Sequence, residues 1–193
     1  MSEKNFVNIY TDGACSNNQK DENIGGWGAI LEFGEHRKEL YGGETNTTNN
    51  RMEMTALLAS LQALKKPGLK LNIFSDSSYL VNCFRMKWYV KWKANNWMRT
   101  AKEPVLNREI WTQLLDCAEA HKLSFYLVKG HINVKGAEKT LRAAFEKFQK
   151  HNGEIFDYER FLYITEMNNR ADALANQGIS DIRMGSTTRP QSL

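Results

Sequence analysis

The chain has 193 residues, 41% hydrophobic residues and a formal net charge of +4, a composition typical of one globular domain, with room for a second small one. No run of about 18 apolar residues occurs, so we expect neither a membrane span nor a signal peptide. The three cysteines, Cys15, Cys83 and Cys117, are odd in number and lack zinc-ligand spacing, which excludes a disulfide framework and predicts a cytoplasmic protein. We also expect the protein to be a monomer.

Alternating apolar residues predict the strands, and apolar residues three or four apart predict the helices. In chain order, the predicted elements are strands at 6–11, 25–33 and 37–41, a helix at 52–64, a strand at 69–74, helices from 79 and at 107–121, a strand at 123–128 and a short helix at 171–177. This order predicts an α/β protein with a five-stranded mixed sheet, its first three strands antiparallel, flanked by helices.

Four acids fall at the predicted ends of these elements. Asp12 and Asp76 each end a strand, Glu53 lies in the first turn of a helix, and Asp172 opens the last helix. If the two strands are parallel neighbours, their acids meet at one sheet edge, where repelling carboxylates favour a hard cation such as Mg²⁺ or Mn²⁺. Taken singly, Asp12 is more often explained as a turn residue, Asp76 could cap a helix, and Glu53 or Asp172 could complement a helix dipole.

Residues 85–102 combine cations with aromatic residues and contain no acid before Lys102. Lysine and arginine side chains can follow phosphates, while exposed aromatic rings stack on sugars and bases, so the segment is a candidate for nucleic-acid binding. The alternative is an amphipathic helix whose tryptophans belong to the core, because tryptophan is usually mostly buried.

Several motifs together resemble ribonuclease H of type 1, in its bacterial form with a basic protrusion. The matching segments, in order, are YTDGAC (10–15), GGWGAIL (25–31), TTNNRMEMTAL (47–57), FSDSSYLVN (74–82), KWYVKWKANNW (87–97), VKGH (128–131) and NNRADALA (168–175). The resemblance implies a ribonuclease H-like fold and an endonuclease that cuts the RNA strand of RNA–DNA hybrids, leaving 5′-phosphate and 3′-hydroxyl ends.

Carried over by position, the resemblance also implies the site residues. Asp12, Glu53, Asp76 and Asp172 would hold two Mg²⁺ ions, with Mn²⁺ as a substitute, and His131 would assist proton transfer or product release. Thr48 and Asn107 would bind a DNA-strand phosphate. The implied substrate-binding residues are Asn18, Thr48, Asn49, Asn50, Arg51, Ser78, Lys87, Trp88, Lys91, Trp92, Lys93, Trp97 and Asn107.

The chain departs from the family pattern between His131 and Asp172. We expect a single domain at 1–182 with a helical insertion at about 134–167, followed by a disordered tail at 183–193. Within the insertion, 137–151 has the apolar spacing of an amphipathic helix. The insertion could be a helical cap, a partner site, a substrate clamp or an inert addition. Asn18 lies in an unusually charged loop and Ser78 replaces a common glutamine, which puts both contacts in doubt.

Two other functions remain open from the residues alone. A DNA nuclease or resolvase can share this fold, because a fold does not define a substrate. A hybrid-binding protein without catalytic activity would need a damaged carboxylate set, and all four acids are present.

Overall fold

A five-stranded sheet forms the centre of the molecule in a computed structural model that describes residues 6–16 and 23–185. The strands are β1 (Phe6–Ser16), β2 (Ile24–Phe33), β3 (His36–Thr45), β4 (Lys70–Ser75) and β5 (Lys122–Leu127). The helices are α1 (Asn49–Gln62), α2 (Ser78–Arg85), α3 (Trp88–Ala94), α4 (Arg108–Glu119), α5 (Glu138–Asn152) and α6 (Tyr158–Arg183). Most of the predicted tail, from 186 onward, lies outside the described residues.

The strand order is β3-β2-β1-β4-β5. β1 pairs with β2, and β2 with β3, in the antiparallel direction, whereas β1–β4 and β4–β5 are parallel. The predicted fold class, a mixed sheet whose first three strands are antiparallel, is confirmed. Because β1 and β4 are parallel neighbours, their carboxyl ends lie at the same edge of the sheet.

Side chains that alternate along β1 point into two separate apolar clusters. Val7 and Ile9 pack with residues of α1, α2 and α4 on one face of the sheet. Tyr10 packs with residues of α5 and α6 on the other face. The sheet is therefore covered by helices on both sides, as the sequence predicts.

The segment at about 134–167, predicted above to be an insertion and called the insertion below, supplies much of the second face through a set of rings, here called the aromatic cluster. Its members are Tyr10, Phe74, Tyr126, Phe148, Phe156 and Phe161. The ring centres of Phe74 and Tyr126 are 5.1 Å apart, and those of Phe148 and Phe161 are 5.3 Å apart, within the range of favourable aromatic contacts. The insertion is thus a packed layer over β1, β4 and β5.

The last helix differs from its prediction. A short helix was expected at 171–177, but α6 runs over 26 residues from Tyr158, with Asp157 as its N-cap. The prediction was wrong because the buried positions of the insertion, such as Phe161 and Ile164, continue in helical phase into the motif at 168–175 without a breaking residue. Across 6–16 and 23–185, none of the helices is long and apolar enough to cross a bilayer.

The second half of α6 lies unusually close to β2. A Cβ atom at Gly28 would lie 2.7 Å from Leu174 Cβ and 2.8 Å from Ala175 N, distances that real side chains do not reach. Glycine at this position lets the helix backbone approach the strand. The position of Asp172, next to Ala171, therefore depends on the absence of a side chain in β2.

Two side chains attach α5 to the edge strand β5. The Asn152 side-chain amide donates to Leu127 O and accepts from Leu127 N, both at 2.9 Å. Arg85 of α2 donates to Phe125 O, to His151 O and to Asn152 Oδ1. The carboxyl end of α5 is consequently held against the sheet directly by the two bonds of Asn152 and indirectly by Arg85, which bonds both to α5 and to β5.

Candidate metal and nucleic-acid site

Three of the four predicted acids meet at the sheet edge. Asp12, Glu53 and Asp76 offer carboxylate oxygens that all lie within 4.8 Å of one another. Asp12 follows the last β1–β4 pair, Thr11 with Ser75, and Asp76 follows β4 directly. The parallel pairing of two strands thus brings together Asp12 and Asp76, which are 64 positions apart in the sequence. We call these three residues the carboxylate cluster.

Two local predictions about these acids are wrong. β1 does not end at Asp12, because it continues to Ser16 in antiparallel pairing with β2, where Asp12 faces Gly28. Glu53 does not lie in the first turn of its helix, because α1 begins at Asn49, capped by the Thr48 side chain. Both acids nevertheless reach the cluster.

Asp12 and Glu53 are buried and Asp76 is partly buried, which makes the negative charge of the cluster unfavourable. Burial, and next the charges of Asp76 and Asp172, raise the pKa of Asp12 to about 8. Burial is also the largest cause that raises the pKa of Glu53 well above its usual range and that raises the pKa of Asp76. Glu53 Oε2 and Asp76 Oδ1 are buried and have no hydrogen-bond donor. Carboxylate oxygens that lack a donor and lie within 4.8 Å of one another fit a divalent cation with oxygen ligands.

The fourth acid, Asp172, lies at the border of this cluster. It is not among the residues whose oxygens meet within 4.8 Å, but its charge raises the pKa of both Asp12 and Asp76. Its carboxylate accepts a hydrogen bond from Asn176 Nδ2 at 3.0 Å. Asp172 is therefore close enough to act on the cluster electrostatically.

The loop after β5 places a histidine beside this fourth acid. His131 Nδ1 lies 3.8 Å from Asp172 Oδ2, and the His131 side chain is 78% exposed. Asn169 Nδ2 of α6 donates to Ile132 O at 2.7 Å, and Ile132 is buried in the second apolar cluster. A side chain at Gly130 would overlap Asp76 Oδ2.

Asn169 and Gly130 were missed as site residues. Both lie inside recognised motifs, at 168–175 and 128–131, but neither spacing nor residue type predicts a contact with a loop carbonyl or with Asp76. Motif membership was the only signal that could have found them.

A cavity of about 660 Å³ gathers five of the predicted substrate-binding residues. They are Thr48, Asn50, Trp88, Trp92 and Asn107, from the starts of α1, α3 and α4. Asn49 and Arg51 do not line it. Arg51 instead pairs with Glu44 at 2.9 Å and with Glu109, so its cation is already neutralised.

The predicted basic segment is divided in the structure. Lys87 and Lys93 line a different cavity, of about 520 Å³, together with Phe84 and Leu123. Trp92 and Trp97 are only 8% and 9% exposed, and they belong to the first apolar cluster. Trp92 lines the cavity that also holds Thr48. The contact of Trp97 with a substrate stays a prediction.

Three further predicted residues have different placements. Lys91 is exposed and lines none of the cavities described for 6–16 and 23–185. Ser78 lines a third cavity, of about 380 Å³, with Asp76 and His131. Asn18 lies outside the described residues.

Comparisons with known proteins agree with this geometry. The family model described as RNase H matches residues 4–180 of the chain. A ribonuclease H of Moorella thermoacetica is 50% identical over 125 residues, which cover 65% of this chain and 80% of that protein. A ribonuclease H of Chlorobium phaeobacteroides is 40% identical over 177 residues, which cover 92% of this chain and 97% of that protein.

Solved structures support the same fold. A type 1 RNase H with the type 2 active-site motif, LC9-RNase H1, has a TM-score of 0.60 at 22% identity and covers 90% of this chain and 87% of its own. LC11-RNase H1, solved in complex with an RNA/DNA hybrid, has a TM-score of 0.54 at 18% identity and covers 92% of this chain and 99% of its own. At such identities the likeness concerns the fold alone.

Proposed function

Because the chain belongs to the ribonuclease H family, we propose that it is an endonuclease that hydrolyses the RNA strand of RNA–DNA hybrids, leaving 5′-phosphate and 3′-hydroxyl ends. The observation that carries the proposal is the carboxylate cluster, with two buried oxygens that lack any donor. Divalent cations held by such carboxylates could activate a water molecule and stabilise the charge on the phosphate during phosphodiester cleavage.

We assign Asp12, Glu53, Asp76 and Asp172 to the binding of two divalent cations. Mg²⁺ is our first choice, with Mn²⁺ as a substitute, because hard cations prefer carboxylate oxygens. When bound, such ions lower the pKa of water and neutralise the charge that develops on the phosphate. The carboxylates themselves hold the ions, and their mutual repulsion is relieved when they do so.

We assign His131 to proton exchange beside the reacting phosphate. Its imidazole is exposed to solvent and its Nδ1 faces Asp172 Oδ2, so it can pass a proton between the site and water. The Asn169 bond to Ile132 O limits how far this loop can move away from Asp172.

The substrate contacts follow from the cavity that contains Thr48 and Asn107. We propose that Thr48, Asn50 and Asn107 bind a phosphate of the DNA strand, while an edge of Trp88 packs on its sugar. Selection of the RNA strand requires reading of its 2′-hydroxyl, the group that separates RNA from DNA. Asn18, Asn49 and Ser78 remain candidates for such contacts.

We also propose that the protein acts as a monomer in the cytoplasm. Its three cysteines are free thiols, as expected in a reducing compartment. The residues of the carboxylate cluster and of the cavity beside Thr48 all come from one chain, which supports this proposal.

The test is strand cleavage by the wild type and by Asp12→Asn. With Mg²⁺, the wild type should cut only the RNA strand of a labelled RNA–DNA hybrid, and it should leave DNA and RNA duplexes intact. Asp12→Asn should lose measurable turnover yet still bind the hybrid, because the variant removes one ligand charge and leaves the cavities unchanged.

The matched control is Asp116→Asn, which removes the same charge from an exposed position of α4. It should cleave like the wild type. Cleavage of the DNA duplex at a similar rate would instead identify a DNA nuclease. Full activity of Asp12→Asn would reject the role of the carboxylate cluster.

A further inference from the structure

The insertion borders a cavity that opens beside the carboxylate cluster. This cavity, of about 380 Å³, is lined on one side by Asp76, Ser78 and His131. On its other side α5 contributes Lys147 and His151. Because Asp76 belongs both to the cluster and to the cavity wall, a strand bound at the cluster would lie next to this cavity.

We propose that α5 provides a phosphate-binding subsite for the RNA strand, in which Lys147 and His151 bind a backbone phosphate next to the one that is cut. The inference rests on the proposed function, since it takes the strand at the carboxylate cluster to be RNA. It assigns a binding role to the insertion, for which the sequence left several alternatives open.

Charge is the first support for this assignment. The cavity wall contains Lys129 and Lys147 as well as His131 and His151, and Asp76 is its single acid. Within 6–16 and 23–185, neither lysine forms an ion pair. Unpaired cations around a cavity attract a polyanion, and each phosphate contact releases counterions.

Helix geometry is the second support. Lys147 and His151 are four residues apart on α5, so both side chains project from the same face. The other cations of α5 do not line the cavity. Arg142 is held by Glu138 at 3.0 Å and lies over the Tyr158 ring, while Lys139 and Lys150 are exposed elsewhere.

Rigidity is the third support. Phe148, between the two proposed ligands, is 4% exposed and packs in the aromatic cluster. The end of α5 is fixed by the Asn152 contacts with Leu127 and by the Arg85 bond to His151 O. A helix held in this way positions its side chains before the substrate arrives, which lowers the entropy cost of binding.

The RNA strand is the expected occupant of this cavity because the cavity shares Asp76 with the carboxylate cluster. Asp76 belongs to both the cavity wall and the cluster, where the strand to be cut must lie, and His131 of the same wall lies 3.8 Å from Asp172 at the border of the cluster. The residues proposed for the DNA strand, including Thr48 and Asn107, line a separate cavity with no residue in common. The two cavities can therefore hold different strands of one hybrid.

The first experiment measures hybrid affinity at several salt concentrations, in an Asp12→Asn background that leaves the substrate intact. Lys147→Ala should weaken binding roughly 3- to 10-fold and reduce the slope of log affinity against log salt by about one. Lys139→Ala and Lys150→Ala remove the same charge from α5 outside the cavity, and they should keep the slope of the Asp12→Asn parent. An unchanged slope for Lys147→Ala would overturn the proposal.

The second experiment identifies the strand. Single neutral methylphosphonate linkages are placed at successive positions of either strand. The affinity of each modified hybrid is then measured for the Asp12→Asn parent and for the parent that also contains Lys147→Ala. One RNA-strand position near the cut should abolish the difference between the two proteins. A DNA-strand position with that effect would overturn the assignment to RNA.

Steady-state kinetics separate this proposal from the proposed function. In the otherwise native protein, Lys147→Ala and His151→Ala should raise KM and change kcat by less than about twofold, because neither residue touches the reacting phosphate. If the wild type cleaves hybrids and Lys147→Ala has an unchanged KM, the subsite is rejected while the ribonuclease function stands. If the wild type cleaves no hybrid, the proposed function itself fails.

Discussion

The two halves of α6 pack differently although they form one continuous helix. The first half, 158–170, packs against α5 and the aromatic cluster through Phe161 and Ile164. The second half, 171–183, lies against the backbone of β2 and β3, where Gly28 and Gly43 leave no room for a side chain. Asp172 is the second residue of this second half. The acid is therefore positioned by contact with the sheet, while the insertion lengthens the helix that carries it.

This difference suggests that the first half of α6 mainly stabilises the fold, whereas the second half mainly positions Asp172. The aromatic cluster buries large rings, so the first half should contribute much of the folding free energy of the second face. The second half also buries Leu174 and Ile179, and its close backbone contact with the sheet fixes the distance between Asp172 and the strands that carry the other acids. Substitutions in the two halves should consequently have different effects.

The largest expected effect on stability comes from Phe161→Ala. Loss of a buried ring should reduce the free energy of unfolding by about 3 to 5 kcal/mol, measured by urea denaturation with circular dichroism. Mg²⁺ affinity, measured by calorimetry below the transition, should stay within about twofold of the wild type, because the second half of α6 keeps its own contacts.

The control is Phe33→Ala, the same truncation at a ring that is 48% exposed. It should reduce the free energy of unfolding by less than about 1 kcal/mol. A strong loss of Mg²⁺ affinity in Phe161→Ala would contradict the separation of the two halves, since it would mean that the insertion positions Asp172.

A smaller effect on stability, but a larger one on the site, is expected for Gly28→Ala. The added methyl group would collide with the backbone of Ala171 and with Leu174, at a cost of about 1 to 3 kcal/mol. Displacement of α6 should carry Asp172 outward and lower Mg²⁺ affinity by at least roughly tenfold. Phe161→Ala serves as the comparison, because it is expected to be less stable and yet to bind Mg²⁺ normally. Normal Mg²⁺ affinity in Gly28→Ala would refute the dependence on this contact.

The smallest effect is a pH dependence that reports on Asp172. Asp12 ionises near 3.8 in the unfolded chain but near 8 in the folded protein, so its contribution to stability falls as the pH rises between these values. Asp172→Asn removes one charge that raises this pKa. In EDTA, it should increase the free energy of unfolding by about 1 kcal/mol at pH 8 and by less at pH 5.

Glu166→Gln provides the matched control, because it removes the same charge from an exposed position in the first half of α6. It should not alter the pH dependence. An equal gain from Asp172→Asn at both pH values would indicate that its charge does not act on Asp12.

The sheet and three of the four acids were predictable because their signals are local. Apolar alternation located the strands, and parallel pairing brings together Asp12, next to the last β1–β4 pair, and Asp76, directly after β4. Glu53 reaches the same place from α1. The extension of β1 past Asp12 was not predictable, since pairing with β2 depends on residues 24–28, a distant segment. The N-cap of α1 at Thr48 was available in the sequence, and an N-terminal threonine with an amide-rich first turn was the relevant signal.

Other parts of the site could not be derived from the sequence because they depend on tertiary contacts. The spacing of cations at 87–93 does not reveal that Lys87 and Lys93 face away from the cavity that contains Trp88. Burial of Trp97 depends on packing against Arg108 and the first apolar cluster. The amphipathic helix of the insertion was predicted correctly, but its contacts with β5 require the three-dimensional arrangement.

The attachment of Asn152 to β5 has a consequence for how the molecule behaves at high concentration. β5 is the last strand of the sheet, and a free strand edge is a template for pairing with another polypeptide. The Asn152 amide occupies both hydrogen-bonding groups of Leu127, and Arg85 occupies Phe125 O, which faces the same way two residues earlier. These backbone groups are therefore not available to a strand of a neighbouring molecule. The insertion thus also protects this edge of the sheet against self-association and fibril-like stacking.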